Sequence, residues 1–329
     1  MAESGAETVQ PVRESRLEHM PISYFASVMG LAGLTLALHA LETYQGWGGV
    51  ASLAALVVTI AAFAVVAVFY GLKALRYPGA VSEEWHHPVR LAFFPAISIS
   101  VLLIATALRP VSADLARPIW MLGTVLQGAL TLAVVSGWIG RRPFQPMHIS
   151  PAWFIPAVGN VVVPVAGVSL GYAEISWLFF SAGVMFWIVL LTLVMNRLIF
   201  HDPLPARLFP TLVILIAPPA VAFLSWLQLN GGVVDGLARL LFYLAFVFAA
   251  IVATQARTLL SLPFAMSFWA LSFPMAALTI STFRYADLTQ SGAHGVIGMG
   301  FMIVLIVILA TLIARTALAI ARDEICHPE

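Results

Sequence analysis

The residues with the clearest functional chemistry lie in the stretch 264–285, FAMSFWALSFPMAALTISTFRY, which carries no charge before Arg284. Pro274 lies in the middle of this stretch, and a proline inside a helix removes one backbone hydrogen bond and bends the helix. Phe273 directly precedes it and would place a bulky ring near the middle of a membrane. We predict that Phe273 closes a pore between this helix and four similar ones.

The amino-acid composition indicates whether these residues lie in water or in a membrane. The chain has 329 residues, of which 61% are hydrophobic and 9% charged, with a mean hydropathy of +0.98. Soluble proteins carry about 25% charged residues, so the chain is expected to be an all-α integral membrane protein. Its basic residues are scattered, which predicts no nucleic-acid partner. The single cysteine, Cys326, offers neither a disulfide nor a zinc-binding spacing, and we expect no metal or cofactor.

Ten stretches are long enough to cross a bilayer, which takes about 20 apolar residues. They are 24–41, 49–72, 89–108, 119–139, 153–170, 175–195, 208–227, 236–256, 264–283 and 296–314. With the N-terminus in the cytoplasm, the non-cytoplasmic side holds only four of the sixteen Lys and Arg residues: Arg109, Arg117, Arg239 and Arg284. Basic residues favour the cytoplasmic side. We therefore predict cytoplasmic polar tails at 1–20 and 316–329, a transmembrane domain at 21–315 and a location in the cell (inner) membrane.

The prolines indicate an internal repeat. Each odd-numbered span follows a proline, and all prolines inside the predicted spans fall in odd ones: Pro95, Pro156, Pro164, Pro210, Pro218, Pro219 and Pro274. The odd spans start about 55 to 65 residues apart, which is typical of a repeated two-helix hairpin. A carbonyl freed by proline is costly in lipid but can be hydrated beside water. We predict five hairpins in a pseudo-fivefold arrangement, with proline-kinked odd helices around a central pore. The alternative is that membrane helices simply tolerate these prolines.

Negative charge is missing from the predicted spans, because all fifteen carboxylates fall in loops or tails. Ion-coupled transporters usually keep an ionisable residue within the membrane, and cation filters use carboxylate rings or ordered carbonyl loops. The pattern therefore favours passive conduction of anions. No hydrolase, nucleotide-binding or zinc-protease motif occurs, so we expect no enzyme.

Other residues are candidates for the walls and mouth of the pore. Ala26 and Gly30 either leave room beside Phe273 or allow close helix packing, which is the expected role of Gly33. Arg90 and Arg207 either form an electropositive vestibule that concentrates anions or only fix the topology. The polar residues within the odd spans are interpreted as hydrogen-bond partners between helices. They are Ser27, Ser98, Ser100, Asn160, Ser225, Ser272 and Thr279.

Several motifs together resemble the tellurite-resistance and dicarboxylate transporter family, which includes TehA-type bacterial proteins and plant slow-type anion channels. They are YFASVMGLAGLTLAL, HHPVRLAFFP, SPAWFIPAV, GYAEISWLFFSAGVMFW, APPAV, GGVVDGLA and FWALSFPM, in that order. The resemblance implies a homotrimer with one pore per protomer, formed by five inner helices of a ten-helix bundle. It also implies that Phe273 in LSFPM blocks this pore. Since about twenty residues precede the first predicted span and about fifteen follow the last, we expect no counterpart of the long phosphorylated tails of the plant channels.

Taken together, these features predict a gated channel that passes small monovalent anions such as chloride or nitrate down their gradient. The alternative within the same family is a transporter or exporter of dicarboxylates or oxyanions such as malate, sulfite or tellurite. A non-conducting membrane scaffold or sensor is the alternative from another class.

Overall fold

The computed structural model describes residues 15–140 and 144–326, so Arg13, Arg141 and Arg142, which contributed to the predicted orientation, lie outside it. The described residues form ten apolar helices, α1 to α10, and contain no β-strand. Their bounds are Ile22–Gln45, Val50–Arg76, Arg90–Leu108, Ala113–Ile139, Pro151–Gly167, Ala173–Phe200, Phe209–Leu229, Gly236–Thr254, Met266–Thr289 and Gly292–Ala321. Nine of them are long and apolar enough to cross a membrane, and α5 is shorter. The predicted all-α fold is confirmed.

The odd helices form a closed inner ring. Helix α1 packs against α3, α3 against α5, α5 against α7, α7 against α9, and α9 against α1. Each even helix packs outside, against the odd helix before it and against the next odd helix in the ring. The arrangement of five hairpins with odd helices inside and even helices outside is as predicted.

Burial separates the two rings. In the four long odd helices, 50% to 89% of the most apolar stretch is buried, compared with 17% to 33% in the even helices. The even helices expose large aliphatic side chains along their outer faces, for example Val57, Leu132, Ile188, Leu240 and Ile303. A helix with such an apolar outer face is suited to contact with lipid.

The odd helices are interrupted, whereas each even helix is one continuous α-helix. Every odd helix begins with a 3-10 turn and then changes to α-helix, as in α9, where Met266–Leu271 is 3-10 and Ser272–Thr289 is α-helical. Helix α5 alternates twice between the two forms. Because a 3-10 turn rises about 2.0 Å per residue rather than 1.5 Å, α5 reaches further across the bilayer than its length suggests.

The expectation that even helices contain no proline is wrong at one position. Helix α4 begins at Ala113, earlier than predicted, and includes Pro118. Both Pro118 and Asp114, whose carbonyl loses its helical partner, are exposed near the start of the helix. There the freed carbonyl lies close to the membrane surface rather than deep in lipid, which makes the proline inexpensive.

The expectation that every carboxylate lies in a loop or tail is also wrong. Glu42 and Asp287 belong to the last turns of α1 and α9. Glu42 is buried because one carboxylate oxygen accepts hydrogen bonds from the N–H groups of Ala51 and Ser52, at 2.8 and 3.3 Å, at the start of α2. Such free N–H groups at a helix N-terminus are favourable partners for an anion.

Two short helices outside the membrane spans were not predicted. They are Pro78–His86, between α2 and α3, and Ala256–Ser261, between α8 and α9. Glu84 of the first is buried, although its stretch of sequence is polar.

Candidate functional site: the axis of the inner ring

Two cavities lie in series along the inner ring. The N-side cavity is lined by the first halves of the odd helices and the C-side cavity by their second halves. Their volumes are about 60 Å³ and about 270 Å³, respectively. All five odd helices contribute side chains to both cavities, so the two cavities mark the axis of the bundle.

The N-side cavity is lined by apolar side chains from every odd helix in turn, for example Ala26, Ile99, Val158, Pro218 and Phe273. Among the described residues, no charged or hydroxyl-bearing side chain lines it. A small ion in this cavity would exchange part of its water shell for carbon atoms, which is unfavourable. A narrow apolar constriction of this type can exclude ions by losing its water.

The C-side cavity is larger and, unlike the N-side cavity, contains polar and charged side chains beside apolar ones. Its lining includes Arg109 from the end of α3, Arg284 and Asp287 from the end of α9, His39 from α1 and Gln228 from α7. The guanidinium of Arg284 donates to the Asp287 carboxylate at 3.0 Å. With histidine neutral, these charges sum to a net positive cavity.

Phe273 lies between the two cavities. Within the part of the chain that the structure describes, three residues line both of them, namely Val162, Val221 and Phe273, and Phe273 has the largest side chain of the three. Its side chain is half-buried. A ring in this position narrows the axis at the boundary between the apolar and the polar cavity.

The position of Phe273 follows from the local sequence of α9. Phe273 and Pro274 are the second and third residues of the α-helical segment Ser272–Thr289. A proline is tolerated there because the N–H groups of a first helical turn have no partner within that helix. The sequence predicted that Pro274 bends a continuous α-helix. In the structure it instead marks the junction between a 3-10 segment and an α-helical segment.

The other prolines mark equivalent junctions. Pro164 and Pro218 occupy the first turns of the α-helical segments Val163–Gly167 and Ala217–Leu229, and Pro95 directly precedes the segment Ala96–Leu108. Pro218 and Pro274 line the N-side cavity, whereas Pro95 and Pro164 line neither cavity. Their shared feature is thus the change of helix type.

The small residues of α1 divide between the axis and the α1–α9 contact. Ala26 lines the N-side cavity. Gly30 lines neither cavity, because it packs against α9, where an added Cβ would come within 2.7 Å of Ser272 Cβ. Gly33 is the glycine beside the ring, since its added Cβ would lie 3.6 Å from Phe273 Cδ2.

The two arginines predicted to form a vestibule lie away from both cavities. Arg90 is half-buried in the first turn of α3, where its backbone N–H donates to His87 Nδ1 at 3.2 Å. Arg207 is exposed in the segment that precedes α7. Neither lines the N-side or the C-side cavity. The arginines that do line the axis are Arg109 and Arg284, which sequence reasoning had assigned only to topology or to the far end of a span.

The polar residues within the odd helices satisfy backbone carbonyls. Ser98 donates to Pro95 O at 2.9 Å, Asn160 to Ala157 O at 2.7 Å and Thr279 to Met275 O at 2.8 Å. Ser225 of α7 donates to Val161 O of α5. These side chains thus pair with backbone carbonyls of the inner helices, which satisfies polar groups on both sides.

Gln127 is a buried residue that sequence reasoning did not single out. It projects from the outer helix α4 and accepts from Ser98 of α3 at 2.7 Å, while its amide nitrogen donates to Pro156 O of α5 at 3.3 Å. Thr131, one turn later, donates to the same carbonyl at 2.7 Å. An amide in an otherwise apolar outer span was the available signal, since a glutamine facing lipid is costly.

Within residues 15–140 and 144–326, no three His, Cys, Asp or Glu side chains come together in a group that could hold a metal ion.

Comparison with known families decides the membership of the chain. A family model described as SLAC1, voltage-dependent anion channel, matches residues 19–317. The chain belongs to this family. The match covers all ten helices except the last four residues of α10, including both cavities and Phe273. The chain is therefore a multi-pass membrane protein related to anion channels and transporters.

Individual relatives come from bacteria, archaea and plants. The chain is 28% identical over 264 residues to the tellurite resistance protein TehA homolog of Haemophilus influenzae, covering 80% of each protein. It is 24% identical over 327 residues to an uncharacterized transporter of Methanocaldococcus jannaschii, MJ0576, covering 92% of this chain and 94% of that protein. It is 29% identical over 237 residues to the S-type anion channel SLAH3 of Arabidopsis thaliana, covering 71% of this chain but 37% of the plant protein.

Proposed function

We propose that the chain is a gated channel that conducts small monovalent anions, such as chloride or nitrate, passively along the axis of each protomer. The observation that carries this proposal is the position of Phe273, a bulky apolar ring that lines both cavities. The names of the plant relatives, S-type anion channels, support an anion as the permeant species.

The gate in this proposal is the Phe273 ring. In the closed state the ring and the apolar N-side cavity form one continuous dehydrated barrier. Opening requires that the ring leave the axis, by rotamer change or by movement of α9. Gly33 of α1 packs closely against α9 beside the ring, since an added Cβ would lie 2.7 Å from Ala276 Cβ, so a movement of α9 would change this contact.

Passive conduction is preferred over ion-coupled transport for a structural reason. No Asp, Glu, His, Lys or Arg of residues 15–140 and 144–326 lines the N-side cavity, so a permeating ion meets no protonatable group of these residues in that half of the axis. A coupled transporter usually keeps such a group along its path. The C-side cavity, with two arginines and room for a larger ion, is what supports the second candidate, a dicarboxylate or oxyanion transporter.

The proposed assembly is a homotrimer in the cell (inner) membrane with both termini in the cytoplasm. The excess of Lys and Arg on the N-side supports the orientation. The N-side cavity then faces the cytoplasm and the C-side cavity faces outward.

The test is anion flux through Phe273→Ala in proteoliposomes or current in oocytes, with chloride and then malate as test ions. We expect chloride conductance at least tenfold above wild type, with a reversal potential that follows the chloride gradient. The matched control is Phe268→Ala, which removes another half-buried ring of α9 that lines neither cavity. Its conductance should equal that of wild type.

Two results would redirect the assignment. If Phe273→Ala carries no chloride while wild type moves malate together with protons, the coupled transporter replaces the channel. If neither protein moves any anion, although both are folded and inserted, a non-conducting scaffold or sensor replaces both.

A further inference from the structure

The C-side cavity contains an unequal set of charges. Arg109 lines it and has no ion-pair or hydrogen-bond partner for its guanidinium among residues 15–140 and 144–326. Arg284 lines it too, but its positive charge is paired with Asp287 at 3.0 Å. The cavity thus holds one uncompensated arginine and one compensated arginine.

The C-side cavity is also lined by neutral polar side chains. The Gln228 side chain lines the same cavity and makes no hydrogen bond within the described part of the chain. The hydroxyls of Thr43 and Thr106 already donate to the carbonyls of His39 and Leu102, at 2.8 Å each, and keep only acceptor capacity. An unpaired guanidinium and an unpaired amide are donors suited to an anion with several oxygen atoms, or to a halide.

We propose that the C-side cavity is an anion-binding site centred on Arg109, and that Asp287, by neutralising Arg284, sets a preference for monovalent over divalent anions. The inference rests on the proposed function, because it assigns the ion preference of the same axial path. Arg109 and Gln228 bind the anion directly, whereas Asp287 acts through Arg284.

The physical basis is the different response of the two ion classes to local charge. A dianion gains about twice the Coulomb energy of a monoanion from each positive charge, and it loses as much for each negative one. Asp287 therefore penalises sulfate or a dicarboxylate more than chloride. The volume of about 270 Å³ is large enough for either class, so charge rather than size makes the distinction.

The test compares ion preference in Phe273→Ala with that in the double variant Phe273→Ala/Asp287→Asn. Reversal potentials with chloride on one side and sulfate on the other give the permeability ratio. Asn keeps the shape of Asp but releases the charge of Arg284, and we expect the sulfate-to-chloride ratio to rise roughly fivefold to tenfold. Adding Arg109→Gln should reverse most of this rise.

The matched control is Asp114→Asn in the same background. Asp114 is an exposed carboxylate in the first turn of α4, on the same side of the bundle, and lines neither cavity. The Asp114→Asn substitution removes one negative charge from that side without altering the cavity. The sulfate-to-chloride permeability ratio should therefore remain within about twofold of its value in Phe273→Ala. An equal rise for Asp114→Asn would mean that surface charge alone sets the preference and would overturn the proposal.

A second measurement separates this proposal from the channel assignment. Thermal unfolding of the purified protein, with Phe273 intact, is followed in equal ionic strengths of sodium chloride and sodium sulfate. We expect the extra stabilisation by sulfate to be larger in Asp287→Asn than in Asp114→Asn and to be lost in Arg109→Gln. If Phe273→Ala conducts chloride but neither the ratio nor the sulfate effect responds to Asp287 and Arg109, the binding site is refuted and the channel stands. If nothing conducts but the sulfate effect follows these residues, the site stands and the channel fails.

Discussion

Lys73 and Glu84 form an ion pair at 3.1 Å in which each side chain is only 2% exposed. Lys73 lies in the last turns of α2 and Glu84 in the short helix Pro78–His86, which folds back onto α2. Lys73 also donates to Met20 O at 2.9 Å, and Glu84 accepts from Ile22 N and Tyr70 Oη at 3.1 and 2.8 Å. The pair therefore joins the chain entering α1 to the turn between the first two hairpins.

Removing the lysine alone should destabilise the protein strongly. Lys73→Met leaves the Glu84 carboxylate buried without its counter-ion, which typically costs about 3 to 5 kcal/mol. In Lys73→Met/Glu84→Gln no buried charge remains, the amide oxygen can accept from Ile22 N–H, and the amide NH2 can donate to the Tyr70 hydroxyl oxygen, so most of the loss should be recovered. Thermal unfolding in detergent measures both. A double variant no more stable than Lys73→Met would mean that the lysine acts through packing rather than charge.

A second prediction concerns Gln127 in the outer helix α4. Gln127→Leu removes hydrogen bonds to Ser98, Thr131 and the Pro156 carbonyl, and we expect a loss of about 1 to 3 kcal/mol. Thr192→Val is the control, because Thr192 is exposed on the outer helix α6 and bonds only to Ile188 O of its own helix. Unfolding temperatures should fall for Gln127→Leu and stay unchanged for Thr192→Val; equal effects would contradict a special role for Gln127.

A third prediction concerns the contact between α1 and α9. Gly30→Ala places a methyl group against Ser272 within the closed ring and should cost about 1 to 3 kcal/mol through overpacking. Gly71→Ala in α2 is the control, since nothing lies within 4 Å of its added Cβ. Alanine favours helix by up to about 1 kcal/mol over glycine, so this variant should be as stable as wild type or slightly more stable. The comparison fails if the two glycines respond alike.

A fourth prediction concerns Asp235, which precedes α8 in the turn after α7. Hydrogen bonds from Ala238 N–H and the Trp226 indole, at 2.8 and 2.9 Å, hold the pKa of this carboxyl below its usual value. A carboxyl with a lowered folded-state pKa stabilises the protein above its unfolded pKa, near 4, and this contribution disappears as the pH falls through the folded value. Asp235→Ala should thus be less stable than wild type at pH 5 to 8.

The pH profile distinguishes this effect from general damage. The difference in unfolding temperature between wild type and Asp235→Ala should be constant from pH 5 to 8 and should shrink below pH 4. A difference that instead grows on acidification would contradict the stabilising role of the ionised carboxylate.

The architecture was accessible from the sequence because it depends on features that the sequence displays directly. Apolar stretches gave the ten helices, and the alternation of prolines separated inner from outer helices. The structural reason for the prolines in the inner helices was only partly predicted. Pro274 and Pro218 lie at changes from 3-10 to α-helix, and the Ser225 hydroxyl of α7 donates to Val161 O of α5. Neither feature has a distinct pattern in an apolar sequence.

The charged part of the site was less accessible, because it depends on how helix ends meet in space. Arg109 and Arg284 are 175 residues apart in the sequence, yet they line one cavity, whereas Arg90 and Arg207 line neither. All four arginines lie near the end of a predicted span, so the sequence alone does not show which of them line the cavity. Similarly, the burial of Lys73 depends on the fold-back of a short polar helix that the sequence does not distinguish from a loop.

The closure of the inner ring between α1 and α9 has a consequence for biogenesis. The wall around the axis lacks one side until the fifth hairpin enters the bilayer, because α9 contributes the Phe273 ring and seals the gap between α7 and α1. Until then, the first four hairpins alone leave the apolar residues that line the N-side cavity, such as Ala26, Ile99, Val158 and Pro218, uncovered on the side where α9 packs. With Phe273 as the proposed gate, the helix that completes the wall also carries the gate, so no complete pore without a gate would form during synthesis.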